Sequence, residues 1–375
     1  MKSKNLKIVL ICIPCNGFGD IIFCSKIYNY IQNWYLFAET KICTPLPKKF
    51  SSLLPPETKY IKLHSDSNYK KECRRLARFR ISKKFESNHL YLFTPFIHSN
   101  YDESYTDIRE IFPNSNVSNT FFFSEYNPGK RIKIDFKTGI GAGTLGLLLT
   151  NPKKWEKTKL NKFLSSKGLK SRRYIFTWIS SDEVNMSRSN NCLGKFIETV
   201  SVVNSKVKDL QILVPSWFIE EFEWNNSLLD FVYHKNIVLK KKNPKTKSVE
   251  TIKYSPKNGK IDKVLVIRSD IFPVPHSEVE QLIMSSLDQV LVTGDQSLTD
   301  VISCCGTKKD IYYQIAPWKT DLANELAKEI PHIKFKADAC FKYPVKRLSS
   351  SFIEKNDFRI KGKKKLDKII YNITK

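Results

Sequence analysis

The sequence predicts an α/β protein built from two Rossmann-like domains facing across a cleft. Three observations lead there. Short apolar, β-rich runs alternate along the chain with stretches of helical periodicity, the pattern of layered parallel sheets. At 375 residues the chain exceeds one ordinary core and suits two domains of about 150–200 residues each. A polar, lysine-rich stretch, residues 150–170, parts the two halves. The expected domains are residues 1–160 and 161–335, with a basic segment 336–375 returning to the first.

The first half opens with a continuous apolar run, residues 6–13 (LKIVLICI), the mark of a strand covered on both faces. A turn follows, Asn16, Gly17, Phe18, Gly19 and Asp20. Beyond it Ile22, Phe23, Ile27, Tyr30 and Ile31 recur at helical spacing within residues 21–34. Strand, glycine turn and helix therefore succeed one another. Further strands are expected at residues 41–44, 60–63, 90–93 and 131–136. The aromatic cluster Phe121, Phe122 and Phe123 reads as core or interdomain packing.

The second half alternates more cleanly. Residues 173–179 (RYIFTWI after Arg172) read as its first strand, 193–203 as a helix, and 210–215 and 263–269 as strands. Helix 276–287 carries Val279, Leu282, Ile283 and Leu287 on one face. Strand 289–293 (QVLVT) runs into Gly294, Asp295, Gln296 and Ser297, with a helix over 298–305 for which Ser297 is a good N-cap. Strand 311–315 and helix 319–330 complete the alternation.

Composition excludes several classes. With 41% hydrophobic residues and only 13 Gly and 17 Pro, wholesale disorder and collagen-like architecture are ruled out. No apolar run approaches the roughly 20 residues that span a bilayer, and no cleavage site follows the short first run. A cytoplasmic protein without a transmembrane segment is the expectation. Nine scattered cysteines, an odd number, fit reduced thiols better than a disulfide framework. The formal charge of +26 is concentrated in residues 240–263, 69–84 and 341–375, at +7, +7 and +8. Such runs are solvated faces or loops in most proteins, or they contact an anionic partner. They lack the aromatic interleaving and motifs of known nucleic-acid readers.

In open α/β sheets, ligands sit beyond the carboxyl ends of strands, where helix N-termini present unpaired N–H groups. Two stretches have this context. In the first, Gly17 and Gly19 allow close backbone approach and Asp20 stands at the helix opening. The second is Gly294, Asp295, Gln296, Ser297 and Asp300, with His276 some twenty residues upstream; its small polar groups suit phosphate and ribose. A third glycine run, Gly139, Gly141 and Gly143, is expected to form a mobile acceptor-side loop. It lacks the full dinucleotide fingerprint, which disfavours a dinucleotide-dependent oxidoreductase. Cys12 and Cys15 form a C-x-x-C pair, but at a strand end rather than the helix start a redox motif would occupy.

The order from Pro275-His276-Ser277-Glu278-Val279 through strand 288–293, Gly294-Asp295-Gln296-Ser297 and Tyr312-Tyr313-Gln314-Ile315 resembles the donor half of GT-B glycosyltransferases. Gly17-Phe18-Gly19-Asp20 resembles the N-terminal loop of bacterial heptosyltransferases and protein-arginine rhamnosyltransferases. The latter carry an acidic, polar, serine run similar to Asp295-Gln296-Ser297. The resemblance covers about half the chain. It implies a GT-B-like fold, a nucleotide sugar as donor substrate, no separate cofactor, Asp20 as general base and the 294–300 segment as holder of the diphosphate. The chain lacks the glutamate usual at the ribose position, for which Asp300 is the substitute. The sequence does not identify the acceptor: an anionic molecule, a glycan and a protein all stay open.

No Asp-x-Asp occurs, and no two of the six histidines lie within four residues of each other, so no metal site is expected. The cation's role would pass to helix N–H groups and to Lys26, Arg268 or Lys319. The rival reading is a basic, nucleic-acid-associated binding protein on an α/β scaffold; it is less favoured. Polynucleotide binding would weaken steeply with salt, whereas a nucleotide sugar would saturate one site.

Overall fold

A computed structural model describes residues 6–12, 19–44, 54, 60–62, 89–95, 117–127, 134–179, 186–219, 229, 232–243, 245–315, 319–330 and 347–374. The chain forms two compact units. One gathers Met1–Thr150, Asn324–Leu326 and Glu354–Lys375; the other gathers Asn151–Ala323 and Ala327–Ile353. Each is α/β with a mainly parallel sheet. Among the described residues, no helix is long and apolar enough to cross a membrane.

The sheet of the first unit has five parallel strands: β1 (Lys7–Ile11), β2 (Glu39–Thr44), β3 (Tyr60–Lys62), β4 (His89–Phe93) and β5 (Thr120–Phe122), in the order β3-β2-β1-β4-β5. The run KIVLI makes β1 the central strand because apolar side chains on both faces need cover on both. Helix α1 (Gly19–Trp34) follows it and buries Ile21, Phe23, Ile27, Tyr30 and Ile31. The aromatic cluster is core: Phe122 and Phe123 are fully buried, and Phe123 stacks on Phe136 with centroids 4.2 Å apart. The strand expected at 131–136 is not formed over its described part, where Phe136 makes only an isolated bridge to Phe123.

The second sheet has seven strands: β6 (Tyr174–Trp178), β7 (Leu210–Leu213), β8 (His234–Lys242), β9 (Val249–Tyr254), β10 (Ile261–Arg268), β11 (Gln289–Thr293) and β12 (Asp310–Gln314), in the order β12-β11-β6-β7-β10-β8-β9. All pairs are parallel except the β8–β9 hairpin. Helix α2 (Lys157–Ser166) precedes these strands, and α3 (Met186–Val203), α4 (His276–Ser285), α5 (Asp295–Cys305) and α6 (Thr320–Glu329) intervene or follow. The core joins Leu193, Ile197 and Val200 of α3 to Ile175, Ile212, Ile237, Leu239, Leu265, Ile267 and Leu291 from five strands. The basic run 240–263 therefore includes the end of β8, all of β9 and the start of β10. Ile237 and Leu239 of β8 join the core and Ile252 of β9 packs against it, while Lys235, Lys242 and Lys253 on the same strands are exposed. The run 69–84 lies outside the described residues.

The chain closes with α7 (Ser350–Lys355) and α8 (Phe358–Thr374), both missing from the sequence expectation. Phe358 is fully buried against Tyr30, Trp34 and Phe123, at centroid distances of 5.9, 6.3 and 5.9 Å. Among the described cysteines, Cys12, Cys24, Cys43, Cys304 and Cys305 are reduced. Cys192 is disulfide-bonded, against the expectation of thiols throughout.

Candidate functional site

In each sheet the chain changes direction of travel once. From β1 it runs outward through β2 to β3, then restarts at β4 on the other side of β1. From β6 it runs outward through β7 and β8 to β9, returns to place β10 between β7 and β8, and continues to β11 on the other side of β6. Crevices open beyond the carboxyl ends of strands at such reversals. The helices starting there are α1, after β1, and α5, after β11.

The start of α5 is built from backbone. Gly294 has φ +84° and ψ 159°, a region open to glycine alone, and nothing lies within 4 Å of where a Cβ would stand. It occupies the N-cap position, with no side-chain cap. The first helical hydrogen bond runs from the Leu298 N–H to the Gly294 carbonyl at 3.1 Å, so the N–H groups of Asp295, Gln296 and Ser297 precede the helical ladder. The helix thus begins three residues earlier than the sequence suggested, and Ser297 is a first-turn residue rather than the cap. Its positive end lies at the carboxyl end of β11.

The side chains around that end neutralise its acid and hold it still. Lys319 Nζ lies 2.8 Å from Asp295 Oδ2, and both side chains are about nine-tenths buried. Asp300, one further turn along, meets Nε2 of His276, the first residue of α4, at 2.9 Å. The Thr293 hydroxyl donates to Gln314 Oε1, tying the tips of β11 and β12. Gln296 is buried, and its Oε1 has no hydrogen-bond partner. Gly294, Asp295, Gln296, Ser297, Asp300 and His276 are thus brought together at the start of two adjacent helices.

At the other reversal, Gly19 and Asp20 are the first two residues of α1, both half-buried. Asn16 and Gly17 lie outside the described residues, as does Cys15. The Cys12 thiol donates to the Asp20 carbonyl at 3.6 Å. Its hydrogen bond with Cys24, and then burial, hold that thiol well above the ordinary thiol range. Cys12 therefore stays protonated, unlike a redox nucleophile.

The loop bearing Gly139, Gly141 and Gly143 is tied rather than mobile. Asn127 clasps Ile140 with two bonds, Nδ2 to the carbonyl at 2.8 Å and the Ile140 N–H to Oδ1 at 2.9 Å. The Gly139 N–H donates to the Gly146 carbonyl at 2.9 Å, and the Thr144 hydroxyl reaches the carbonyls of Gly139 and Gly141. Gly141 also donates to Asn356 Oδ1. With its polar groups satisfied internally, the loop has no reason to move. Only around Gly143 is there open space.

The three candidate cations separate in the structure. Arg268 donates through Nε and Nη2 to both Asp270 oxygens at 2.6 Å, and also to Gln211 and the Lys167 carbonyl, so it braces the sheet. Lys319 is committed to Asp295. Lys26 is buried on α1. Sequence reasoning missed Gln281, whose amide bonds the Lys153 carbonyl and the Trp155 N–H. It also missed Lys309, which donates to Ser286 O, Ser286 Oγ and Leu287 O at 2.7–3.0 Å. Both partnerships are non-local, and no spacing announces them. Among the described residues, no three His, Cys, Asp or Glu side chains cluster as metal ligands would.

No family model and no curated protein matches the chain. Several solved structures are similar in architecture. A family 9 glycosyl transferase from Veillonella parvula is 10% identical, with a TM-score of 0.42, over 98% of this chain and 97% of that one. The E. coli ADP-heptose lipopolysaccharide heptosyltransferase II is 10% identical, with a TM-score of 0.42, over 98% and 99%. A UDP-GlcNAc 2-epimerase from Methanocaldococcus jannaschii is 10% identical, with a TM-score of 0.48, over 93% and 98%.

Proposed function

We propose that the chain is a glycosyltransferase that moves a sugar from a nucleotide-sugar donor to an acceptor, without a metal ion. The observation that carries this reading is the α5 start: an uncapped helix N-terminus behind a left-handed Gly294, at the reversal between β6 and β11, with its own carboxylate already neutralised by Lys319. The N–H groups of Gln296 and Ser297 would bind the donor's diphosphate and accept the negative charge that gathers there as the sugar leaves. Gln296 Oε1, buried with no partner, is suited to accept a hydrogen bond from the nucleoside. The His276–Asp300 pair orients a ring nitrogen beside the same helix. In the first unit, Asp20 is the base: it takes a proton from the acceptor nucleophile as that atom attacks the anomeric carbon. The sequence likeness of Gly17-Phe18-Gly19-Asp20 and of Asp295-Gln296-Ser297 to GT-B transferases points the same way.

Two measurements test the reading in sequence. A thermal-shift screen of UDP, GDP, dTDP, CMP and ADP sugars should find a stabilising donor, by about 2.7 kcal/mol at one hundred times its dissociation constant. With that donor, Asp20→Asn should bind normally and lose transfer by about 10²–10⁴-fold. Normal turnover in D20N would remove the base assignment, and the absence of any stabilising nucleotide would remove the donor site.

A further inference from the structure

One surface of the first unit combines exposed apolar side chains with unpaired positive charge. The turn after α1 carries Leu36, 89% exposed, and Phe37, 53% exposed. It lies against α8, because the Tyr35 hydroxyl donates to Asp367 Oδ1 at 2.8 Å and Lys363 Nζ stands 5.7 Å from the Tyr35 ring centre. Phe37 in turn packs on Tyr35. On α8, Ile360 and Tyr371 are 66% and 50% exposed. At 3.6 residues per turn, positions 360, 361, 364, 368 and 371 fall within about 100° of one another, and Asp367 borders that stripe. Turn and helix stripe thus form a continuous surface.

The charges on the stripe are uncommitted. Helix α8 holds six basic residues and one acid. Arg359 pairs with Asp357, Lys363 pairs with Asp367, and Lys365 donates to the Asp135 carbonyl. Lys361, Lys364 and Lys368 remain, all exposed and with no ion pair among the described residues. Large aliphatic and aromatic groups left in water are costly unless a partner covers them. A polynucleotide would use the lysines and leave Leu36 and Ile360 wet. A lipid surface uses both, the lysines against anionic headgroups and the apolar groups at the acyl boundary.

We infer that the Leu36–Phe37 turn and the outer stripe of α8 dock the protein peripherally on a membrane surface rich in anionic lipid. This inference stands apart from the catalytic reading and uses none of its residues. The test is co-sedimentation at physiological ionic strength with phosphatidylcholine vesicles, with and without phosphatidylglycerol. The wild-type chain pellets with the anionic vesicles and stays in solution with the neutral ones. The variant Lys361→Gln/Lys364→Gln/Lys368→Gln partitions on the order of 100-fold less, since each lysine near such a surface contributes about fivefold. The variant Leu36→Ser/Phe37→Ser partitions about tenfold less. All five side chains are exposed, so the unfolding midpoints should match wild type. The inference is overturned if wild type treats the two vesicle types alike or binds neither, or if the lysine variant binds as wild type does. It is equally overturned if the apolar variant is unaffected, the result expected of a surface that binds polynucleotide through charge alone.

Discussion

Helices α1 and α5 occupy equivalent positions in their sheets, each starting where the strand order reverses, yet different forces hold them. Around α5, which buries Leu298, Val301 and Ile302, ion pairs are added to the apolar packing. Lys319 meets Asp295 in the first turn, His276 meets Asp300 one turn on, and at the opposite end of the strands the Lys309 ammonium binds the carbonyls of Ser286 and Leu287, just past the end of α4. Around α1 the forces are aromatic. Phe23 packs on Phe123 and Tyr126, while Tyr30 and Trp34 stack on Phe358 of the distant α8. On the proposed reading, the end of α5 would receive negative charge and needs its own acid cancelled, which the Lys319 ion pair does. Helix α1 would need only a fixed position for Asp20, which packing supplies. The contrast also explains why the last twenty residues belong to the first unit: without Phe358, one face of α1 would lie bare.

The contrast can be broken most severely at Lys319. Replacing it with Met leaves Asp295 buried without its cation, which should cost about 3–5 kcal/mol of unfolding free energy in denaturant titration. Adding Asp295→Asn should recover most of that loss. A cost below about 1 kcal/mol would mean that charge does not hold α5.

Lys309 gives a pH signature. Burial first of all, with Arg172 adding to it and Cys305 opposing, brings its ammonium down to about 8, against about 10.5 in the unfolded chain. Between those values the unfolded state binds more protons at this group, so Lys309 by itself adds about 2 kcal/mol of stability from pH 8 to 10, read as the amount by which the wild-type profile climbs relative to that of Lys309→Met. Cys305, pushed up to about 12 by burial, and Cys12, held well above the thiol range, keep their protons in the native state while unfolded thiols lose theirs, so both subtract stability over the same window in either protein. Above pH 10 the tyrosines add to that fall. The buried Tyr174 and Tyr313 hydroxyls are held above the ordinary tyrosine range, so the native state then binds more protons. Parallel profiles for wild type and Lys309→Met from pH 8 to 10 would contradict the assignment.

The smallest effect is expected at Gly362. A Cβ there would strike the ring of Phe358, which is fully buried and cannot swing away. Gly362→Ala should therefore cost about 1–3 kcal/mol despite alanine's better helix propensity, and it should do so independently of salt and pH. A stabilised variant would show that α1 and α8 are not packed as described.

Legibility in the sequence followed the same division. The β1–α1 and β11–α5 units could be read because a continuous apolar run, then glycine, then helical spacing is a local signal. The β8–β9 hairpin was hidden because HKNIVLKKK falls into blocks of three polar, three apolar and three basic residues, without the alternation that marks a strand. Strand β5 is three residues long, too short for periodicity. Conversely, RIKIDF at 131–136 alternates as a strand should, yet its described part forms only one bridge, because pairing depends on a neighbour that no local pattern specifies. The glycine run at 139–143 suggested motion, and Asn127 and Thr144, distant or unremarked, supply the bonds that prevent it. Within the candidate site, the residue types at 276 and 294–300 were legible. The pairing of Asp295 with Lys319 and of His276 with Asp300 was not, since both depend on how helices pack.

The central claim is that the first N–H groups of α5 hold a diphosphate. The direct test is an amide correlation spectrum of ¹⁵N-labelled protein titrated with the nucleoside diphosphate that stabilises it most. The resonances of Gln296 and Ser297 should shift in a saturable, one-to-one manner that changes little with salt, while those of the β8–β9 hairpin stay still. Shifts spread over the lysine-bearing hairpin, fading steeply as salt is raised and leaving Gln296 and Ser297 unmoved, would contradict it.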